Sequence, residues 1–240
     1  MLPRALSLLL LLLTAAPPTA PAPLPIPARR HAPEAPPEGW CGETAIQEAL
    51  LYSGMWAPQR LIYRAGRPAH PDLYSNEIPR ALDALGVRYS MYRPSAVGFK
   101  AYARWVGEAL DAGDPVLAGV KLLPTAHPEW GLDHFVLVVG HDDQRLLVNT
   151  TWGTRQWVDA AATRGISFRN AFYAIRVLGL RLPAGTRPAR LFVIEESAAS
   201  VRLRVSCEGV DREEIVPASS ARTFSCVPRS MLAPAPHPGG

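Results

Sequence analysis

Residues 39–54 read GWCGETAIQEALLYSG, a stretch that places a cysteine directly before a helix. Apolar residues at positions 45, 46, 49 and 50 have the spacing of one buried helix face, which predicts a helix over residues 43–53. Gly54 is a typical helix stop. Cys41 would then lie at the positive end of the helix dipole, beside free backbone N–H groups that favour the thiolate. Because the thiolate is the nucleophilic form, this position suits a catalytic cysteine.

The chain has three cysteines, which predict one disulfide and one free thiol. Cys207 and Cys226 lie close together in sequence, both in strand-like segments, so we pair them. Cys41 is then free. An inert thiol that packs a helix start is the alternative to a nucleophile, and the polar residues of a hairpin over 134–149 favour the nucleophile.

Two apolar segments flank a turn rich in Gly, Asp and His between residues 134 and 149, which predicts a β-hairpin. A two-residue loop at 141–142 places His134 directly opposite Asn149, and a loop at 142–143 places them diagonally on one face. An odd-length loop without a bulge places them on opposite faces. Directly opposite residues have Cβ atoms about 5 Å apart, within reach of a hydrogen bond from His134 to Asn149. That bond would fix the imidazole tautomer and aim the other ring nitrogen at the thiol.

These motifs together resemble the papain-like cysteine peptidases, and in particular the bacterial peptidase C39-like group. They are WCG at 40–42 opening a helix, His134 heading an apolar strand, and NTTWG at 149–153. The resemblance covers residues 39–177. It implies a helix that carries the cysteine, packed on a sheet that carries the histidine and the asparagine, with a cleft between them. Cathepsin-type enzymes separate cysteine and histidine by roughly 130–150 residues, so the shorter separation here favours the compact C39-like branch.

One residue that the resemblance implies is missing. A glutamine a few residues before the cysteine would donate to the oxyanion, yet residues 34–40 contain none. Glu34 and Glu38 lie there instead, and a carboxylate would repel an oxyanion. The backbone N–H of Cys41 can still donate, and a second donor would have to come from elsewhere. Loss of one such donor commonly lowers the rate by about 10²–10³.

The order of the remaining elements predicts an α+β, papain-like fold. Two further helices are expected near residues 76–85 and 99–112, each ended by a glycine. Helices that precede an antiparallel sheet indicate this class instead of an alternating β-α-β one. Strand-like segments follow at 115–121, 134–139, 145–149 and 172–177, and a small C-terminal β unit at 190–195, 201–207, 215–216 and 223–227.

Residues 1–22 have the pattern of a secretory signal peptide. Arg4 precedes a nearly unbroken leucine run that is too short to span a bilayer, and small residues follow it. An uncleaved anchor is the alternative. The expected order continues with a Pro-rich linker (23–38), a peptidase domain (39–182), a small β unit (183–230) and a disordered tail (231–240). We expect a secreted or periplasmic protein without an integral membrane segment in the mature chain, where a disulfide is favoured.

Composition narrows the expected partners. The net charge of +4 comes from scattered arginines without interleaved aromatics, so no nucleic-acid partner is expected. Four histidines share no spacing with cysteines or carboxylates, so neither a metal site nor a cofactor is expected; they are His31, His70, His127 and His237. The oligomeric state stays open.

The sequence therefore predicts a secreted cysteine hydrolase that cleaves peptide or amide bonds in a peptide or protein substrate. Cys41 attacks the carbonyl, His134 takes the thiol proton and later protonates the leaving amine, and Asn149 orients His134. Water then releases the acyl-enzyme. The same residues would serve an amidase, a transpeptidase or a cell-wall hydrolase. A catalytically silent, peptidase-like binding module is the alternative from another class, because the glutamine is missing.

Overall fold

The computed structural model describes residues 22–37, 39–93, 98–123, 125, 128–129, 132–142, 144–159 and 172–227. The predicted signal peptide up to residue 21 and the predicted tail lie outside the described residues. The described helices are α1 (Cys41–Tyr52), α2 (Gln59–Gly66), α3 (Ile78–Ala84) and α4 (Phe99–Asp111). The described strands are β1 (Met55–Trp56), β2 (Val87–Met91), β3 (Val116–Val120), β4 (His134–His141), β5 (Arg145–Asn149), β6 (Arg155–Asp159), β7 (Tyr173–Leu180), β8 (Arg187–Pro188), β9 (Arg190–Glu196), β10 (Ser200–Cys207), β11 (Val210–Pro217), β12 (Arg222–Thr223) and β13 (Ser225–Cys226).

The main sheet has six antiparallel strands in the order β2-β7-β3-β4-β5-β6. Its central strands are buried on both faces, because side chains that alternate along a strand meet a different helix on each side. Leu137 belongs to the core around α1, and its neighbour Val138 belongs to the core around α4. Helices that cover an antiparallel sheet make the predicted α+β fold, which the structure confirms.

Helix α1 crosses the interior of the molecule, with every residue from Cys41 to Leu51 buried. The predicted helices over 43–53, 76–85 and 99–112 correspond to α1, α3 and α4. Helix α2 and strand β2 were not predicted from the sequence. Gly54, with φ +89°, ends the turn after α1, and a Cβ there would meet backbone of the C-terminal β unit at 2.5 Å.

Residues 22–37, which include most of the expected Pro-rich linker (23–38), pack along the domain. The N–H of Leu24 donates to the carbonyl of Val139 over 2.7 Å, and Ile26 is 1% exposed. Further along, Arg30 forms an antiparallel bridge with Trp152. An apolar residue at position 26 and this backbone pairing hold the segment, which we call the N-terminal strap (residues 22–37), beside the main sheet.

The C-terminal strands form a three-stranded sheet in the order β11-β10-β9 with its own core. That core includes Leu51 and Trp56, so the β unit packs against the end of α1 and against β1. The predicted disulfide is confirmed, since Cys207 and Cys226 are bonded. Cys41 is free, as predicted. Over the described ranges, no helix has both the length and the apolar character needed to cross a membrane.

Candidate functional site

Cys41 is the first residue of α1, at the boundary between the helix and the start of β4. Its thiol accepts hydrogen bonds from the backbone N–H groups of Phe135 and Gly42. Phe135 directly follows His134, and its ring approaches Gly42 closely. The fold therefore brings the predicted nucleophile to the strand end that carries the predicted base.

Burial sets the charge state of the thiol. Cys41 is 8% exposed, and this burial raises its pKa to about 12. The N–H of Phe135 opposes the rise, while the negative charges of Glu43 and Asp72 add to it. Proximity to the helix N-terminus therefore does not yield a thiolate in the resting protein, contrary to the expectation from sequence.

His134 is held through one ring nitrogen. Its Nε2 lies 2.9 Å from the carbonyl oxygen of Thr150 and 3.0 Å from the hydroxyl of Thr151. A carbonyl only accepts hydrogen bonds, so Nε2 carries the proton and Nδ1 is left with a lone pair. Nδ1 is therefore the atom that can take a proton from a neighbouring group.

The imidazole is also shielded from water. Burial lowers the pKa of His134 to about 4, although the bond to the Thr150 carbonyl acts in the opposite direction. The ring of Trp152 lies over it, with centroids 4.6 Å apart. Because burial disfavours both charged forms, the described site rests as a neutral thiol and a neutral imidazole.

The predicted pairing of His134 with Asn149 across the hairpin is wrong. Asn149 lies opposite Leu137, and an irregularity between Val138 and Gly140 shifts the register. His134 pairs with Val120 of β3 and lies beyond the end of β5. Leu137 is three residues from His134, so the alternation of the strand turns Asn149 toward the other face.

Asn149 instead joins the main sheet to the N-terminal strap. Its Nδ2 donates to the carbonyl of Ile26 over 3.0 Å, and its Oδ1 accepts from Arg155 Nε over 3.0 Å. Glu48 lies beside it and accepts the backbone N–H of Arg29 over 2.7 Å. Burial raises the pKa of Glu48 to about 8, against the bonds from Arg29 and Asn149. These contacts are those of a buried structural network.

Thr151 and His31 also belong to the site, although the sequence predicts neither as a site residue. The hydroxyl of Thr151 contacts both His134 and His31. Thr151 Oγ1 lies 3.0 Å from His134 Nε2 and 3.1 Å from His31 Nε2. Thr151 has φ +67°, a strained conformation for a β-branched residue, and is fully buried. The pairing between Arg30 and Trp152 brings His31 opposite Thr151, a contact that no sequence spacing signals because it joins distant segments.

Of the two glutamates that precede the cysteine, Glu34 lies within the described residues. Glu34 lies 3.6 Å from Arg60 on the surface. Glu38 lies outside the described residues. Gln59 is the glutamine of α2. Its amide donates to the carbonyl of Arg30 and to Gln47, and these bonds hold the strap.

Residues 71–73 contact the chain around Cys41 at the start of α1. Trp40 Nε1 donates to the carbonyl of Pro71 over 2.8 Å, and Glu43 accepts the N–H of Leu73 over 3.0 Å. Burial raises the pKa of Glu43 to about 8, with Asp72 among the further causes. Within the described part of the chain, no group of three or more potential ligands is arranged to hold a metal ion.

No family model and no curated protein matches the chain. Among solved structures, the chain is similar to the following two at low sequence identity. The peptidase domain of Streptococcus ComA, a bifunctional ABC transporter involved in quorum sensing, is 11% identical; the match covers 64% of this chain and 98% of that one, with a TM-score of 0.43. A C39-like peptidase of Bacillus anthracis is 11% identical, with coverages of 66% and 96% and a TM-score of 0.44.

Proposed function

We propose that the protein is a thiol hydrolase that cleaves peptide or amide bonds, with Cys41 as nucleophile and His134 as general base. The observation that carries the proposal is the bond from His134 Nε2 to the Thr150 carbonyl, at 2.9 Å. This bond leaves Nδ1 free to accept a proton, at the strand end whose next N–H binds the Cys41 thiol. A nucleophile beside an oriented base is the arrangement that acyl transfer requires.

In the proposed mechanism, the proton moves during the attack. Cys41 starts as a thiol because burial keeps its pKa near 12, and His134 starts neutral because burial keeps its pKa near 4. As sulfur bonds to the carbonyl carbon, the thiol proton passes to His134 Nδ1. The imidazolium then gives the proton to the leaving amine, and water releases the acyl group by the reverse sequence.

The orienting group in this proposal is the Thr150 carbonyl, assisted by the Thr151 hydroxyl. Both lie within 3.0 Å of Nε2, whereas the bonds of Asn149 go to Ile26 and Arg155. A backbone carbonyl can fix the tautomer as an asparagine would. Asn149, predicted from sequence as the third catalytic residue, then acts as a structural residue.

A silent binding module is the competing function, and the burial of Cys41 favours it. A mixture of diverse peptides incubated with the wild-type protein separates the two. A thiol hydrolase produces new peptide termini, which mass spectrometry detects, and Cys41→Ser and His134→Ala remove them. His141→Ala, which alters a histidine bonded to Asp111 away from the site, is the matched control. Peptides retained by the protein without any cleavage would support the binding module.

The disulfide supports placing this activity in an oxidising compartment. Cys207–Cys226 joins β10 to β13 in the C-terminal unit, and such bonds persist in exported proteins. We therefore propose export of the mature chain. Recovery of the oxidised protein from the medium or periplasm of an expressing cell would support this location, and recovery of the reduced protein from the cytoplasm alone would contradict it.

A further inference from the structure

The N-terminal strap brings a second histidine to the candidate site. The N–H of Gly153 donates to the carbonyl of Arg29 over 2.8 Å, and the next pair in the same antiparallel register joins Arg30 and Trp152. That register places His31 opposite Thr151, where its Nε2 lies 3.1 Å from the hydroxyl. Backbone pairing of the strap therefore fixes the position of His31 relative to Thr151.

The other edge of the His31 ring faces the chain that leads into Cys41. A Cβ built on Gly39 would lie 2.2 Å from His31 Cε1 and 2.3 Å from Nδ1, but 3.3 Å from Nε2. Gly39 has φ +83° and no side chain, so the imidazole packs directly on its backbone. His31 therefore lies between the residues just before the nucleophile and the hydroxyl that contacts His134.

The hydrogen bonds are compatible with a neutral His31 that carries its proton at Nδ1. His134 Nε2 donates, because its partner at Thr150 is a carbonyl. Thr151 Oγ1 accepts from this donor and keeps one proton of its own, which it can donate to His31 Nε2 at 3.1 Å. Burial lowers the pKa of His31, which favours the neutral ring. With Nε2 as the acceptor, the one N–H of that ring is at Nδ1, on the edge that faces Gly39.

We propose that His31 is the second oxyanion donor of this site, in the role that the missing glutamine would have. This inference rests on the proposed thiol hydrolase function. When the Cys41 sulfur bonds to the carbonyl carbon, the carbonyl π electrons move to oxygen. The N–H of His31 Nδ1 and the backbone N–H of Cys41 donate hydrogen bonds to that oxygen, and neither gives up its proton. The negative charge is returned to the carbonyl when the leaving group departs.

Access and charge fit this role. His31 lines an open surface depression of about 330 Å³, together with Arg30, Gln59 and Glu196, so part of its ring is open to solvent. The carboxylate of Glu196 in this depression is paired with Arg29. Glu34, the described carboxylate that sequence placed near the oxyanion, is turned to Arg60. A neutral N–H that donates to the carbonyl oxygen stabilises the charge that develops there in the transition state.

Two reagents that use the same thiol test the proposal. Iodoacetamide alkylates Cys41 by displacement at carbon and forms no oxyanion, whereas p-nitrophenyl acetate acylates it through an oxyanion and releases p-nitrophenolate. His31→Met and His31→Gln have similar size, but only Gln has a donor. We expect His31→Met to slow acylation by about 10²–10³ and to leave alkylation within about threefold of wild type. We expect His31→Gln to recover acylation to within about tenfold.

Each outcome separates this proposal from the function on which it rests. If Met and Gln variants acylate at the same rate, or if Met slows both reactions equally, His31 is not an oxyanion donor. An equal slowing would mean that the ring acts through Thr151 on His134. The proposed function fails separately if the wild-type thiol reacts with both reagents as fast as in His134→Ala. Circular dichroism and thermal melting confirm that the two variants are folded, and His141→Ala serves as the control for loss of a histidine.

Discussion

Replacement of Asn149 by alanine distinguishes a structural residue from a catalytic one. The amide is fully buried, and besides its bond to Glu48 it makes two hydrogen bonds of 3.0 Å, one to the Ile26 carbonyl and one from Arg155. A buried group that loses its partner commonly costs about 1–3 kcal/mol. Arg155 is exposed and also donates to the Ile26 carbonyl, so both groups keep part of their bonding. We therefore expect Asn149→Ala to lower the free energy of unfolding by about 2–4 kcal/mol.

Two measurements on the same variant decide the role of Asn149. Urea unfolding gives the stability, and Gln156→Ala, an exposed residue on the adjacent strand, is the control expected to change stability by no more than about 0.5 kcal/mol. Iodoacetamide labelling of the folded protein gives the reactivity of Cys41, which we expect to stay within about threefold of wild type. If the variant keeps its stability while its labelling slows as in His134→Ala, Asn149 orients the base and our assignment is refuted.

Three further perturbations test the buried charges and the disulfide. Folding raises the pKa of Glu48 from 4.5 to about 8, so the folded state holds its proton more tightly and stability falls as pH rises through this window. Urea unfolding at about pH 5 and pH 8 measures this loss of stability, which should be smaller in Glu48→Gln than in wild type by at most about 5 kcal/mol. The same pH dependence in both proteins would contradict the raised pKa of Glu48. Lys121 and Asp133 are fully buried 3.4 Å apart, so Lys121→Met should lower the unfolding free energy by about 3–5 kcal/mol, and a loss below about 1 kcal/mol would contradict the pairing. Reduction of Cys207–Cys226, with a separation of 19 residues, should lower it by about 3 kcal/mol in denaturant titrations with and without reductant, and superimposable curves would contradict this.

The sequence predicts those elements that depend on residues close together in the chain. Helix α1 follows from its apolar spacing and its glycine stop, and the disulfide follows from the short separation of its cysteines. Helix α2 was missed because Gln59–Gly66 is only eight residues long and directly follows a proline, and three of its eight residues, including Ile62, supply its buried face. A helix this short depends on tertiary packing for its stability.

The detailed arrangement of the site depends on contacts that the sequence does not display. An irregularity after Val138 adds to the hairpin a residue that no turn motif signals, and a one-residue slip changes the face of every following side chain. His31 reaches Thr151 through pairing between segments about half the chain apart. Cys41 is placed at a helix start as predicted, but burial outweighs the helix dipole and leaves the thiol neutral.

The pH dependence of Cys41 alkylation, compared between wild type and His134→Ala, tests the central claim most directly. With His134 as base, protonation of the imidazole near pH 4 limits the reaction, so we expect a rate that is nearly level from about pH 5 to pH 8 and falls below it. Without the base, alkylation must await ionisation of a thiol with a pKa of about 12. We expect His134→Ala to react about 10²–10⁴ times more slowly at about pH 6 and to accelerate tenfold per pH unit. Superimposable profiles for the two proteins would contradict a nucleophile–base pair and leave the silent binding module as the function.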